Sequence, residues 1–162
     1  MREIDAPWWV TGRAGLQGGT GAAGAPAEPD RLRAVPDGPR AHDGLTRWLG
    51  LRWEDPCTVR LTVREDLINP AGLLSGVVAY ALVDYSMGSA LWEHTADDEN
   101  IATLSIAITY LRTTTEGEVV CRTKLDRRTR TNAALRSEVA DDDGRLLATA
   151  VGTYAVFPRR RG

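Results

Sequence analysis

The sequence predicts an α+β domain in which an antiparallel sheet of about six strands wraps around one long central helix. Three observations predict it. After Pro70 the run to Trp92, AGLLSGVVAYALVDYSMGSALW, holds no proline and is long enough for a buried helix. Two strand-like runs precede it and four follow it. Asp141-Asp142-Asp143-Gly144 is a strong hairpin signal, because Asp-Gly accepts positive φ.

The elements follow in chain order. Residues 1–42 read as a flexible arm: Gly12 to Pro29 is dominated by Gly, Ala and Pro, which offer little surface to offset their ordering entropy. Within it, Trp8-Trp9-Val10 forms an apolar knot suited to docking on the domain or on a partner. The domain is expected over residues 43–158, with a basic tail at 159–162. Leu45 to Trp53 predicts a short helical turn and then a strand, closed by a turn at Glu54-Asp55-Pro56. Cys57 to Val63 alternates, with Val59, Leu61 and Val63 on one face, as a half-exposed strand does. The long helix opens with the turn Asn69-Pro70-Ala71-Gly72, and Val77, Ala81, Gly88 and Leu91 trace one of its faces. A polar loop, Thr95 to Asn100, leads to the strands Ile101–Leu111, Glu118–Leu125, Thr131–Ala140 and Arg145–Phe157. Gly152, inside the last strand, suggests a bulge. The uncovered sheet face and edges imply a homodimer or homotetramer.

Composition excludes several classes. A net charge of −2 gives no field for nucleic acid or an anionic membrane. No apolar run is long enough to span a bilayer, and the N-terminus has no apolar core of the signal-peptide kind. Cys57 and Cys121 are isolated, with only His42 and His94 to join them, so packing thiols in a reduced, cytoplasmic protein without structural metal are expected.

Asp84 stands apart. It lies on the same helical face as Val77, Ala81 and Gly88, and burying an unpaired carboxylate is expensive. It is therefore exposed to a cavity, tied to a neighbouring group, or kept for chemistry. The residues around it carry a resemblance. Asn69-x-x-Gly72-x-x-Ser75-Gly76, then Asp84, then TLSIAITYLRTTTEGEVV and DDDGRLLATAVGTYAVF, resemble the hotdog-fold acyl-CoA thioesterases of the PaaI-like, phenylacetate-pathway type within the 4-hydroxybenzoyl-CoA thioesterase superfamily. The resemblance covers roughly residues 45–157. Those enzymes usually carry N-x-x-G-x-x-H-G-G and an Asp nine residues after the His. Here the spacing is kept, with Ser75 at the His position and Val77 at that of the second Gly.

The resemblance implies a hotdog fold and hydrolysis of an acyl-CoA or acyl-carrier-protein thioester, with no cofactor beyond the CoA of the substrate. Asp84 would act as general base or nucleophile, across a subunit interface. The Gly76 backbone N–H, at the helix start, would stabilise an oxyanion; the glycine also suits a tight turn. Asn69 would orient water or the carbonyl, or simply make the turn. Ser75 suits an N-cap, or a hydrogen bond to the thioester carbonyl. Thr103 would contact the attacking water, though a strand accommodates threonine anyway. Arg128 and Arg130 lie where relatives place groups near CoA phosphates, and equally fit a solvated basic turn. His94 reads as a partner of the helix C-terminus, and Tyr85 and Trp92 as core or interface. Two further readings stay open: a hotdog protein that binds an acyl-CoA or metabolite without turnover, and a dehydratase or cyclase of secondary metabolism.

Overall fold

The computed structural model describes residues 44–159. Trp8-Trp9, the Gly/Ala/Pro-rich segment and His42 lie outside the described residues, as does the end of the basic tail. Helix α1 (Gly44–Leu49) leads into β1 (Arg52–Asp55) and β2 (Thr58–Thr62). One 3-10 turn, Glu65–Leu67, precedes the central helix α2 (Gly76–Trp92). Four long strands follow: β3 (Glu99–Tyr110), β4 (Glu118–Arg128), β5 (Asn132–Asp141) and β6 (Leu146–Pro158). They form one antiparallel sheet in the order β1-β2-β4-β5-β6-β3. The predicted order of two strands, one helix and four strands is the order observed.

Local chemistry explains the strands. Val59 and Leu61 of β2 are fully buried, and Val63 nearly so, as their alternation requires. The β5–β6 connection turns at Gly144, whose φ of +76° needs glycine; its N–H donates to the Asp141 carbonyl, and the Asp141 carboxylate accepts from Arg145 N–H. The β4–β5 pairing runs past the predicted basic turn, so Arg127 and Arg128 are strand residues opposite Ala134 and Ala133.

Two expectations are corrected. The face of α2 expected to be apolar is largely not the one the sheet covers. Val77 is 77% exposed, whereas Val78, Ala79, Leu82, Val83, Ser86, Met87 and Ala90 are buried; of the expected set only Leu91 is fully buried. The helix is apolar around most of its circumference, so spacing alone does not choose the packed side. Asp84 is consequently half-buried, at the margin of the covered surface. Gly152 is not a bulge: the β3–β6 and β5–β6 registers run through it, opposite Ile106 and Leu135. It is small because α2 comes close there. A Cβ on Gly152 would sit 2.5 Å from Met87 Sδ and 3.2 Å from Ile106 Cγ1.

The irregularity lies instead on β3, between Thr103 and Ser105, opposite Tyr154 and Thr153. It switches the inward phase of the strand. Before it Thr103 faces α2, hydrogen-bonded to Asp84; after it Ile106 and Ile108 pack on the core and Tyr110 reaches the start of α2.

Candidate active site

The entry to α2 is held by backbone bonds. Ser75 N–H donates to the Leu67 carbonyl, and Leu74 N–H to that of Thr114. Asn69 builds the preceding loop: its Oδ1 accepts from the N–H of Ala71 (2.9 Å) and of Leu73 (3.2 Å), and its own N–H donates to the Leu73 carbonyl. Gly72 adopts φ +78° at that turn. The turn role expected for Asn69 is thus present, and its side-chain oxygen is occupied by the loop rather than aimed at Asp84.

Ser75 occupies the N-cap position with extended backbone, yet its hydroxyl makes no capping bond. Its carbonyl accepts from Val78 and Ala79 N–H. Among the described residues no acceptor meets the N–H of Gly76 or Val77, so the positive end of α2 keeps two free donors. Tyr110 OH donates to the Gly76 carbonyl at 2.8 Å. A Cβ at position 76 would approach the Tyr110 ring to 3.3 Å, which gives the glycine a packing reason as well.

Asp84 lies two turns further along α2. Thr103 Oγ1 donates to Asp84 Oδ1 at 2.8 Å, and Tyr154 OH donates to the same oxygen at 2.6 Å. The Tyr154 oxygen is also 3.1 Å from the Asp84 carbonyl. Among the described residues Asp84 Oδ2 has no hydrogen-bond partner. Tyr154 is buried, 2% exposed, and burial first, then the Asp84 carboxylate, pushes its hydroxyl far above the ordinary tyrosine range. It therefore remains a protonated donor. Thr103, expected to contact the attacking water, stands against Asp84 itself. Tyr154 was missed, because an aromatic residue in a strand reads as core and nothing in its neighbours marks the hydroxyl.

Arg128 and Arg130 separate. Arg128 pairs through Nη2 with the Glu99 carboxylate, and its Nη1 lies 3.4 Å from the Thr129 carbonyl. The Ala96 N–H and then Arg128 hold Glu99 below the usual carboxylate range. Arg128 is thus engaged within the fold, whereas Arg130 is exposed at the β4–β5 tip and makes no ion pair among the described residues. His94 is exposed just past α2, its backbone N–H on the Leu91 carbonyl; Tyr85 packs against the core, and Trp92 is half-buried. Among the described residues no group of three His, Cys, Asp or Glu side chains could hold a metal ion, and no helix is long and apolar enough to cross a membrane.

A carboxylate with one oxygen clamped and, among the described residues, one free, on a helix wrapped by an antiparallel sheet, defines an α+β domain with a candidate acid-base site. The comparisons narrow it. Residues 71–148 match the model of the thioesterase superfamily. A thioesterase from Haemophilus influenzae superposes with a TM-score of 0.69 at 18% identity, covering 74% of this chain and 86% of its own. A putative thioesterase of Ralstonia eutropha, described as phenylacetic acid degradation-related, gives 0.66 at 24% identity, covering 78% and 96%. A Bacillus halodurans protein solved with CoA gives 0.67 at 18% identity, covering 70% and 75%. No curated protein sequence matches the chain. The fold shared with these structures is the hotdog fold, and the stretch matched by the thioesterase superfamily model lies within it, from the turn before α2 to the start of β6.

Proposed function

We propose that this protein hydrolyses an acyl thioester carried on CoA or an acyl carrier protein, with Asp84 as the working carboxylate. The observation that supports this most is the Asp84 environment: Oδ1 takes two hydroxyl donors and, among the described residues, Oδ2 is left open, at the position where the sequence resemblance expects the working Asp. As general base, Oδ2 accepts a proton from water while the water oxygen bonds to the thioester carbon. The carbonyl oxygen becomes an oxyanion, met by the Gly76 N–H. Collapse breaks the C–S bond, and the departing thiolate recovers the proton from Asp84. As nucleophile, Oδ2 would instead form a mixed anhydride that water later opens.

One chain does not bring these two groups together. Gly76 and Asp84 are eight residues apart on one helix, about 12 Å along its axis at 1.5 Å per residue. A second copy, its α2 antiparallel to the first, would set its own Gly76 beside this Asp84. A homodimer or homotetramer is therefore part of the proposal. So is exposed Arg130, rather than Glu99-bound Arg128, as the basic group open to CoA phosphates.

Free-thiol release from a panel of acyl-CoAs tests the reading. Asp84→Ala is expected to lower kcat by about 10²- to 10⁴-fold. Wild-type activity equal to that of Asp84→Ala would sink it. The second reading, a hotdog protein that binds an acyl-CoA without turnover, is favoured by Ser75, which cannot shuttle a proton near neutral pH as the usual His can. Calorimetric CoA binding without thiol release would support it, and gain of hydrolysis on Ser75→His would mark a lapsed site. A dehydratase of the Asp/His kind has less support, since among the described residues no His makes a hydrogen bond to Asp84.

A further inference from the structure

Tyr154 and Thr103 are directly opposed across the β3–β6 pair, so one cross-strand pair supplies both hydroxyls that meet Asp84. They come from the two strands at one margin of the sheet, immediately before the irregularity at Thr103/Ser105 reverses the inward phase of β3. Both bonds end on Oδ1. A carboxylate bound on one oxygen by a single donor can still turn about Cβ–Cγ and exchange its two oxygens. Bound on that oxygen by two donors from different strands, it must break both bonds to turn. Tyr154 is nearly inaccessible, so solvent does not compete for its hydroxyl, which also lies 3.1 Å from the Asp84 carbonyl and beside the Thr103 hydroxyl.

We propose that Tyr154 is a positioning residue of the thioester site: with Thr103 it immobilises the Asp84 carboxylate by Oδ1 and so assigns Oδ2 as the single oxygen that works on substrate. This rests on the hydrolytic reading of Asp84 given above. Tyr154 touches neither substrate nor water in this scheme; it acts through Asp84. The same arrangement says why the phenol is buried among apolar side chains. A hydroxyl there keeps its proton through the neutral range, and a neutral donor holds a carboxylate without neutralising it.

The test uses the full chain and variants that keep the shape of the site. Tyr154→Phe removes one oxygen and keeps the ring in the core; Thr103→Val removes the second hydroxyl. Each is expected to lower kcat about 10- to 100-fold with KM within about two-fold, since the substrate contacts stay while the reacting oxygen loses its alignment. Thr103→Ser, which restores a hydroxyl, is expected to recover most of the Thr103→Val loss. A second readout does not depend on turnover. In isotope-edited infrared spectra, with Asp84 assigned by difference against Asp84→Asn, the separation between the asymmetric and symmetric carboxylate stretches is expected to change in Tyr154→Phe. Unchanged kcat and unchanged Asp84 bands in both hydroxyl-deletion variants would overturn the proposal, as would a loss of thermal stability without either change. If no thioester is hydrolysed by the wild type, the hydrolytic reading fails on its own, and the carboxylate bands still decide whether Tyr154 holds Asp84.

Discussion

Beneath Asp84 the helix carries a second polar group inward. Ser86 is fully buried and shares a 2.7 Å hydrogen bond with Thr123, which shares another of 2.7 Å with Ser137. A buried hydroxyl costs little when its partners are fixed, and this chain joins α2, β4 and β5. Cys121, two residues from Thr123 on β4, is fully buried, and burial pushes its thiol up to about 11. In the unfolded chain such a thiol ionises near pH 9, so between about 9 and 11 the unfolded state has lost a proton that the folded state keeps. Stability therefore falls as pH rises through that window, by at most about 3 kcal/mol from this group. Urea unfolding at pH 8 and pH 10.5 is expected to show a smaller alkaline loss in Cys121→Ala than in the wild type; equal losses would refute the assignment. Cys121 was legible as a packing thiol because it stands alone in an apolar run. Asp84 was legible for the opposite reason, a charge where the pattern asks for none. Tyr154 was not, since its meaning lies in a contact 70 residues away in sequence.

Between elements, the distance from α2 to the sheet decides whether those contacts exist. Met87 lies one helical turn beyond Asp84, and Gly152 lies two residues before Tyr154 on the same side of β6. The glycine admits Met87, and the close approach leaves the Tyr154 hydroxyl within 2.6 Å of Asp84. Gly152→Ala inserts a Cβ that meets Met87 Sδ at 2.5 Å in a fully buried place, so the helix or the methionine must move. Overpacking of this kind costs about 1–3 kcal/mol. Thermal unfolding of Gly152→Ala is expected to show that loss, and Gly152→Ala with Met87→Ala, which frees the space, is expected to lose less than the sum of the two single changes. Strict additivity would mean the two residues do not press on one another. The strands themselves were readable from alternation and from Asp-Gly chemistry. The side of α2 that packs was not, because an all-round apolar helix has no preferred face. The change of phase within β3 is visible in retrospect, Ile101 and Thr103 giving way to Ile106, Ile108 and Tyr110.

At the scale of the whole molecule the proposed site is divided between chains, and α2 supplies a way to test that. Gly76 is the first residue of the helix, and Ser75 before it is extended, at φ −61° and ψ 130°. Proline is tolerated at such a position and the residue before it prefers that backbone. Gly76→Pro therefore deletes the proposed oxyanion donor and leaves the helix able to form, while Gly76→Ala adds a Cβ against Tyr110 and keeps the N–H, which separates the steric effect from the chemical one. In a two-fold dimer built as proposed, each site takes its Gly76 from one chain and its Asp84 from the other. Homodimers of Gly76→Pro and of Asp84→Asn are then both inactive. A mixed dimer of the two has one site lacking both groups and one site lacking neither. If chains exchange at random, half the dimers are mixed and each has one complete site, so unfolding and refolding an equimolar mixture is expected to restore roughly a quarter of wild-type thiol release. A site formed within one chain predicts no recovery at any ratio, because every chain would then carry one defect in its own site. The separation of about 12 Å along α2 is what makes the two arrangements distinguishable: it is too long for one carbonyl to meet both groups of the same helix, and it is the offset that an antiparallel second helix would close.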